Sequence, residues 1–169
     1  MIPLDKLVPV FDLVMAHPVA TSIPTPSSVR RINSELGVHL PDSLVAFARE
    51  SKKFGSWFLS LGEDYSNPFH ILAMNAALHS PVREGVDTWR PMPRNLIMFN
   101  HGYDEDYDCI DISSPSLVPG EYKVRYWCPL SEDGMVFDTF PLYMQHHISD
   151  WVEHAKKATQ ALVRRELQT

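Results

Sequence analysis

An acidic run between residues 104 and 111 carries the residues of this sequence that are best placed to do chemistry. Five of its eight residues are acidic, and it reads Asp104-Glu105-Asp106-Tyr107-Asp108-Cys109-Ile110-Asp111. Carboxylates this close together repel one another, so a cation, a basic partner or water must compensate their charge. Which of these applies decides what function the run supports.

The excess of negative charge is local. Residues 100–140 contain nine acidic side chains against Lys123 and Arg125, a net charge of −7, whereas the whole chain carries −6. Such a field attracts a basic protein and repels the phosphates of nucleic acids. We therefore expect a basic protein partner and no nucleic acid, with solubility as the alternative role of the acids.

Metal binding finds little support in the spacing. With Asp104 as the first ligand of a calcium loop, Cys109 stands where glycine is needed and Pro115 where glutamate is needed. His147 and His154 share a helical face but lie about 10.5 Å apart along its axis, too far for one zinc ion. We expect no metal and no cofactor. An irregular cation site in an enzyme stays open as a third hypothesis.

Catalytic motifs are also absent from the sequence. Cys109 has no thiol-enzyme motif around it, and no GxSxG or glycine-rich phosphate loop occurs. Asp108 and Asp111 could act as an acid–base pair, but acids are too common here for that pairing to be specific. Both cysteines lie beside aromatic residues, which is typical of small core residues. We expect no enzymatic activity and no catalytic residue.

The pattern of the 169 residues predicts one α+β domain, residues 27–169, behind an N-terminal arm and linker of residues 1–26. Residues 4–16 are predicted to form a short amphipathic helix or a packed arm. Helices are predicted from a cap at Ser27 or Ser28 to Gly37, from Pro41, at 69–79 and at 142–166. Strands are predicted at 57–61, 96–100, from the acidic run, at 122–128 and at 135–140. This order indicates a mainly antiparallel sheet flanked by N-terminal helices and a long C-terminal helix.

The compartment is predicted from the termini and the cysteines. Pro9 and Asp12 interrupt the apolar N-terminus, so it is a poor secretory signal and too short to span a bilayer. Two cysteines without a CxxC motif indicate a reducing environment. We expect a cytoplasmic protein that does not bind membranes.

An ordered series of short motifs resembles the SUKH superfamily of Smi/Knr-like proteins. The series spans roughly residues 27–160, although residues 1–26 have no counterpart. Its parts are Ile32, Leu36 and Gly37; Leu40-Pro41-Asp42-Ser43-Leu44 leading to Phe47; the strand 96–99 with Gly102, Asp106-Tyr107 and Ile110-Asp111-Ile112-Ser113; Val124, Tyr126 and Trp127; and a closing helix with Tyr143, Ile148 and Trp151.

The resemblance implies an α+β domain that is not an enzyme. Bacterial members are mostly immunity proteins that bind and neutralise a toxin, and eukaryotic relatives are regulatory or scaffold modules. Our first hypothesis is therefore an intracellular immunity protein whose acids cover a basic, nuclease-like cognate toxin. Its contact residues would be Asp104, Glu105, Asp106, Tyr107, Asp108, Glu132 and Asp133. The alternative is a regulatory module without a toxin partner, which would bind through Trp89.

Overall fold

The structure is a computed structural model that describes residues 3–14, 23–51, 58–68, 70–80, 90–101, 106–129 and 134–166. In these parts of the chain it has five helices and one sheet of four strands. They are α1 (Leu4–Val14), α2 (Pro26–Leu36), α3 (Asp42–Glu50), α4 (Ile71–His79), β1 (Leu96–His101), β2 (Tyr107–Pro115), β3 (Tyr122–Trp127), β4 (Val136–Phe137) and α5 (Phe140–Glu166). The predicted α+β class with an antiparallel sheet and a long C-terminal helix is confirmed.

The sheet is a meander in which each strand pairs antiparallel with the next, in the order β1-β2-β3-β4. Because side chains alternate along a strand, residues paired across strands share a face. One face carries Asn100, Asp108 and Tyr126 as a row, and α5 lies across it. The opposite face carries Cys109, whose sulfur lies 3.6 Å from that of Met92. Both faces are therefore covered.

Aromatic rings build the core between the sheet and the helices. Phe11 of α1 packs on Phe47 of α3 with ring centroids 5.1 Å apart, and it also contacts Phe58 and Trp151. Phe140, at the start of α5, packs against Phe47 and further rings of the same cluster. The first helix is thus part of the core.

The start of α2 differs from the prediction by two to three residues. Thr25, not Ser27 or Ser28, caps the helix: its Oγ1 accepts from Ser28 N at 3.1 Å, and Ser28 Oγ accepts from Thr25 N at 3.0 Å. Pro26 holds the first helical position, where its missing N–H costs nothing. The predicted end at Gly37 is confirmed, with the left-handed φ of 67° that glycine tolerates.

Two predicted strands are shorter in the structure. Within the described part of 57–61, the backbone forms only isolated bridges, Phe58 with Asn100 and Ser60 with His70. The reason is that the Asn75 side chain already bonds both Met98 N and Met98 O on the edge of β1 that faces away from β2. The strand predicted at 135–140 is limited to β4, because α5 begins at Phe140.

The remaining elements agree with the pattern. Helices α1, α3 and α4 lie where they were predicted, and α5 starts two residues earlier than expected.

The division at residue 26 between arm and domain stays a prediction. None of the helices in the described ranges is long and apolar enough to cross a membrane.

Candidate functional site

The structure distributes the acidic run over two faces of β2 instead of one surface. Asp106 is exposed, whereas Asp108 and Asp111 are 3% and 2% exposed. Tyr107, expected among the contact residues, is also buried and stacks on Trp127 with centroids 5.6 Å apart. Tyr107 and Asp108 therefore offer no surface to a partner, because both faces of the sheet are covered.

Other residues predicted to contact a partner lie outside the described parts of the chain. These are Asp104, Glu105, Glu132, Asp133 and Trp89. Among the predicted contact residues that the structure describes, Asp106 is thus the one that reaches the surface.

Asp108 is the centre of a buried polar network under α5. Its Oδ2 accepts from Tyr143 OH at 2.5 Å and from Asn100 Nδ2 at 2.7 Å. Burial raises the pKa of Asp108 to about 6, although these two donors oppose the shift. Close by, Tyr126 OH bonds His147 Nε2 at 2.6 Å, and burial lowers the pKa of His147 to about 4. The imidazole is therefore neutral at pH 7 and shares one hydrogen bond with the Tyr126 hydroxyl.

Asp111 lies on the opposite face of the sheet, where hydrogen bonds and a cation compensate its charge. Its Oδ1 accepts from Ser113 Oγ at 2.6 Å and from Asn95 Nδ2 at 2.9 Å, and Arg125 Nε lies 3.3 Å from Oδ2. Burial alone would raise the pKa of Asp111, but these donors outweigh it and the pKa is lowered. Arg125 of β3 thus neutralises one acid of the run.

Glu121, another acid of the 100–140 region, has a structural partner as well. It is buried in the turn before β3 and accepts from Ser43 N at 3.1 Å through Oε1 and from Ser43 Oγ at 2.8 Å through Oε2. Pro41 at the start of α3 has no side-chain cap of its own. The carboxylate thus supplies the missing cap at the positive end of the helix.

Four of the other acids belong to two connections that join strands at the same end of the sheet, whereas Asp138 follows β4 and accepts from Ser116 Oγ at 3.3 Å. β1 ends at His101 beside the start of β2, and His101 and Trp127 both pair with Tyr107. In an antiparallel meander, the chain between β1 and β2 and the chain between β3 and β4 leave the sheet at the same end. The first connection contains Asp104 and Glu105, and the second contains Glu132 and Asp133. We call this region, with the exposed Asp106, the acidic end.

The groups that were considered for catalysis are closed to substrates. Cys109 is fully buried, and burial raises the pKa of its thiol well above the usual value, so it is a poor nucleophile. Among the described residues, no group of three or more His, Cys, Asp or Glu side chains could hold a metal ion. Asp108, which was considered as half of an acid–base pair, instead bonds Asn100 and Tyr143 in the buried network.

Sequence reasoning missed Asn100, Tyr143 and His147 as members of that network. Asn100 ends an apolar strand, and Tyr143 and His147 stand four residues apart on α5, which places them on one face of the helix. The sequence could have indicated a buried polar network through these two polar side chains, because they share the apolar face of α5. Nothing in the sequence showed that Asp108 would lie beneath them, since that depends on how α5 crosses the sheet.

Comparison with known families agrees with this architecture. Residues 23–153 match the model of the SMI1 / KNR4 family (SUKH-1). The chain belongs to this family. The SUKH-1 match begins just before α2, ends within α5 and includes all four strands and the whole buried network. Helix α1 lies outside it. No curated protein matches the chain.

Proposed function

We propose that this SUKH-1 protein is an immunity protein that neutralises a cognate bacterial toxin by binding it at the acidic end. The observation that carries the proposal is that both acid-rich connections leave the sheet at the end where Asp106 is exposed. A group of carboxylates there suits a basic, nuclease-like toxin, because it resembles the charge of a nucleic acid and speeds association.

Neutralisation by binding, without catalysis, agrees with the interior of the protein. Asp108, Asp111 and Glu121 hold their positions through hydrogen bonds to other parts of the fold. The thiol of Cys109 is buried. The proposal therefore assigns the contact to Asp106 with Asp104, Glu105, Glu132 and Asp133, and it leaves out Tyr107 and Asp108.

The first experiment identifies the partner. The purified chain is used to capture proteins from a lysate of its own source at low and at high salt, and mass spectrometry identifies what is held. The captured protein is then expressed alone and together with the chain. We expect it to stop growth alone and to be harmless in the presence of the chain. A partner without toxicity would contradict immunity and favour the regulatory module, with Trp89→Ala as its next test.

The second experiment tests the surface. The triple variant Asp104→Asn, Glu105→Gln, Asp106→Asn should slow association with the toxin roughly tenfold or more at low salt, and the difference should shrink as salt screens the charges. A control triple variant, Asp5→Asn, Asp42→Asn, Glu50→Gln, removes the same charge from exposed sites elsewhere. Equal association rates for the two variants would remove the acidic end from the mechanism.

A further inference from the structure

Two buried oxygen atoms on neighbouring strands have no hydrogen-bond donor in the part of the chain that the structure describes. They are Oδ1 of Asp108 and Oδ1 of Asn100. The side chains are 3% and 1% exposed, and the two residues are directly paired between β1 and β2. An acceptor buried without a donor is costly, so each such group in a native protein calls for an explanation.

The bond that these side chains already form suggests how both oxygens could be satisfied. Asn100 Nδ2 donates to Asp108 Oδ2 at 2.7 Å. A carboxylic acid and a primary amide can form a ring of two hydrogen bonds, in which the amide N–H donates to one carboxyl oxygen and the carboxyl O–H donates to the amide oxygen. The observed bond is the first of these. The two oxygens without donors are the atoms that the second would join.

We propose that Asp108 and Asn100 form a proton-dependent lock between β1 and β2 beneath α5. The lock closes when Asp108 takes up a proton from solvent on Oδ1 and donates it in a hydrogen bond to Asn100 Oδ1. It opens when that proton returns to solvent, because neither Oδ1 then has a donor within the described residues. This device is independent of the proposed toxin binding.

Burial and the charge of Asp106 favour the protonated form of Asp108, and they outweigh the hydrogen bonds from Tyr143 and Asn100 to Oδ2, which favour the carboxylate. From α5, Tyr143 donates to Oδ2 and the neutral His147 packs its ring 4.5 Å from that of Tyr143. From β3, Tyr126 is paired with Asp108 in register, and burial raises its pKa. On β2 itself, the charge of Asp106 opposes ionisation. No described cation faces the carboxylate, since Arg125 pairs with Asp111 on the opposite face of the sheet.

The lock predicts that the folded state holds its proton more tightly than the unfolded chain. The pKa of Asp108 is raised to about 6 by burial, from an ordinary value near 4. Between these pH values the folded state carries a proton that the unfolded state has lost, so stability falls as pH rises. The equilibrium constant for unfolding should increase by about a hundred-fold across this window.

The test compares the wild type with Asp108→Asn by urea unfolding from pH 4 to pH 7.5. The variant keeps an acceptor for Tyr143 and places an N–H donor where Oδ1 was, so its ring is closed at every pH. We expect it to be more stable than the wild type at pH 7.5, by up to about a hundred-fold in the unfolding constant, and equal to it near pH 4. His147 titrates in both proteins, so the difference between them isolates Asp108.

Asp111→Asn is the matched control, because Asp111 is equally buried but has its donors in place. It should destabilise the protein at pH 7.5. A variant Asp108→Asn that is less stable than the wild type at pH 7.5, or that keeps the wild-type pH dependence, would overturn the lock. An NMR titration of the Asp108 Cγ signal in the wild type decides the question even if the variant does not fold: a midpoint near 6 supports the lock, and a midpoint near 4 refutes it.

Discussion

At the scale of single residues, Asp108 and Asp111 show how little burial alone says about a carboxylate. They lie on one strand with nearly the same small exposure, yet the pKa of Asp108 is raised and that of Asp111 is lowered. Their partners differ: Asp111 accepts from the Ser113 hydroxyl and the Asn95 amide and lies beside the charge of Arg125, whereas Asp108 has donors on one oxygen only. Counting acids in a sequence therefore overstates the surface charge.

His147 should make the protein sensitive to acid. The folded imidazole titrates at about 4 because it is buried, and the unfolded one near 6.5, so stability is lost as pH falls from about 6.5 to about 4. This sign is opposite to that of Asp108. In His147→Gln, the side-chain amide can still bond the Tyr126 hydroxyl but does not titrate, so the loss of stability should disappear. Unfolding curves at several pH values measure it, and the exposed His39→Gln variant should behave like the wild type. The same acid-induced loss in both variants would exclude His147 as its source.

At the scale of secondary-structure elements, side chains from distant positions bond backbone groups at a strand edge and at a helix start that have no partner from neighbouring residues. Asn75 of α4 bonds the backbone of Met98 on the edge of β1 that faces away from β2, with both distances 2.8 Å. Glu121 reaches from the turn before β3 to the start of α3, and Gly120 permits that turn with a left-handed φ of 79°. Such contacts join elements that are far apart in the chain.

Removing the cap on α3 should lower the free energy of unfolding by a measurable amount. Glu121→Ala removes two hydrogen bonds and a negative charge from the helix start, so we expect a loss of about 1–2 kcal/mol in the free energy of unfolding. Glu50→Ala, at an exposed position in the same helix, should change it by no more than about 0.5 kcal/mol. Chemical denaturation of both variants provides the comparison. If the two losses are equal, Glu121 does not act as the cap.

At the scale of the whole molecule, the core extends beyond the part that matches the family. The SUKH-1 match begins at residue 23, but Phe11 of α1 is fully buried against rings from α3 and α5. Residues 4–14 therefore contribute to the same core as the matched region. Helix α1 thus packs against two helices of the matched region, α3 and α5.

This packing predicts that removing the N-terminal helix lowers the stability of the fold. Phe11→Ala should cost about 3–5 kcal/mol of unfolding free energy, because it leaves a cavity among Phe47, Phe58 and Trp151. The control is Leu13→Ala in the same helix, where the side chain is 83% exposed and the change should be within about 0.5 kcal/mol. Thermal or urea unfolding measures both. A Phe11→Ala protein as stable as the control would mean that α1 is a separable arm.

The sequence by itself determined most of the elements and the class of the fold. These elements follow from local patterns. The apolar stripe of α5 and the alternation in β3 repeat with the period of a helix and of a strand, and Gly37 ends α2 because glycine tolerates a left-handed backbone. The ordered series of motifs was enough to identify the SUKH family, which the match over residues 23–153 confirms.

Only the tertiary structure decided what each acid does. Asp106 and Asp108 are two residues apart, yet one is exposed and the other lies beneath α5. Whether a carboxylate meets water, Arg125 or the Ser43 hydroxyl depends on which distant element packs against its strand. Such contacts join residues up to 78 positions apart, as for Ser43 and Glu121, and no local pattern encodes them. The fold could therefore be read from periodicity, while the site required the packing of α5 and of the turns on the sheet.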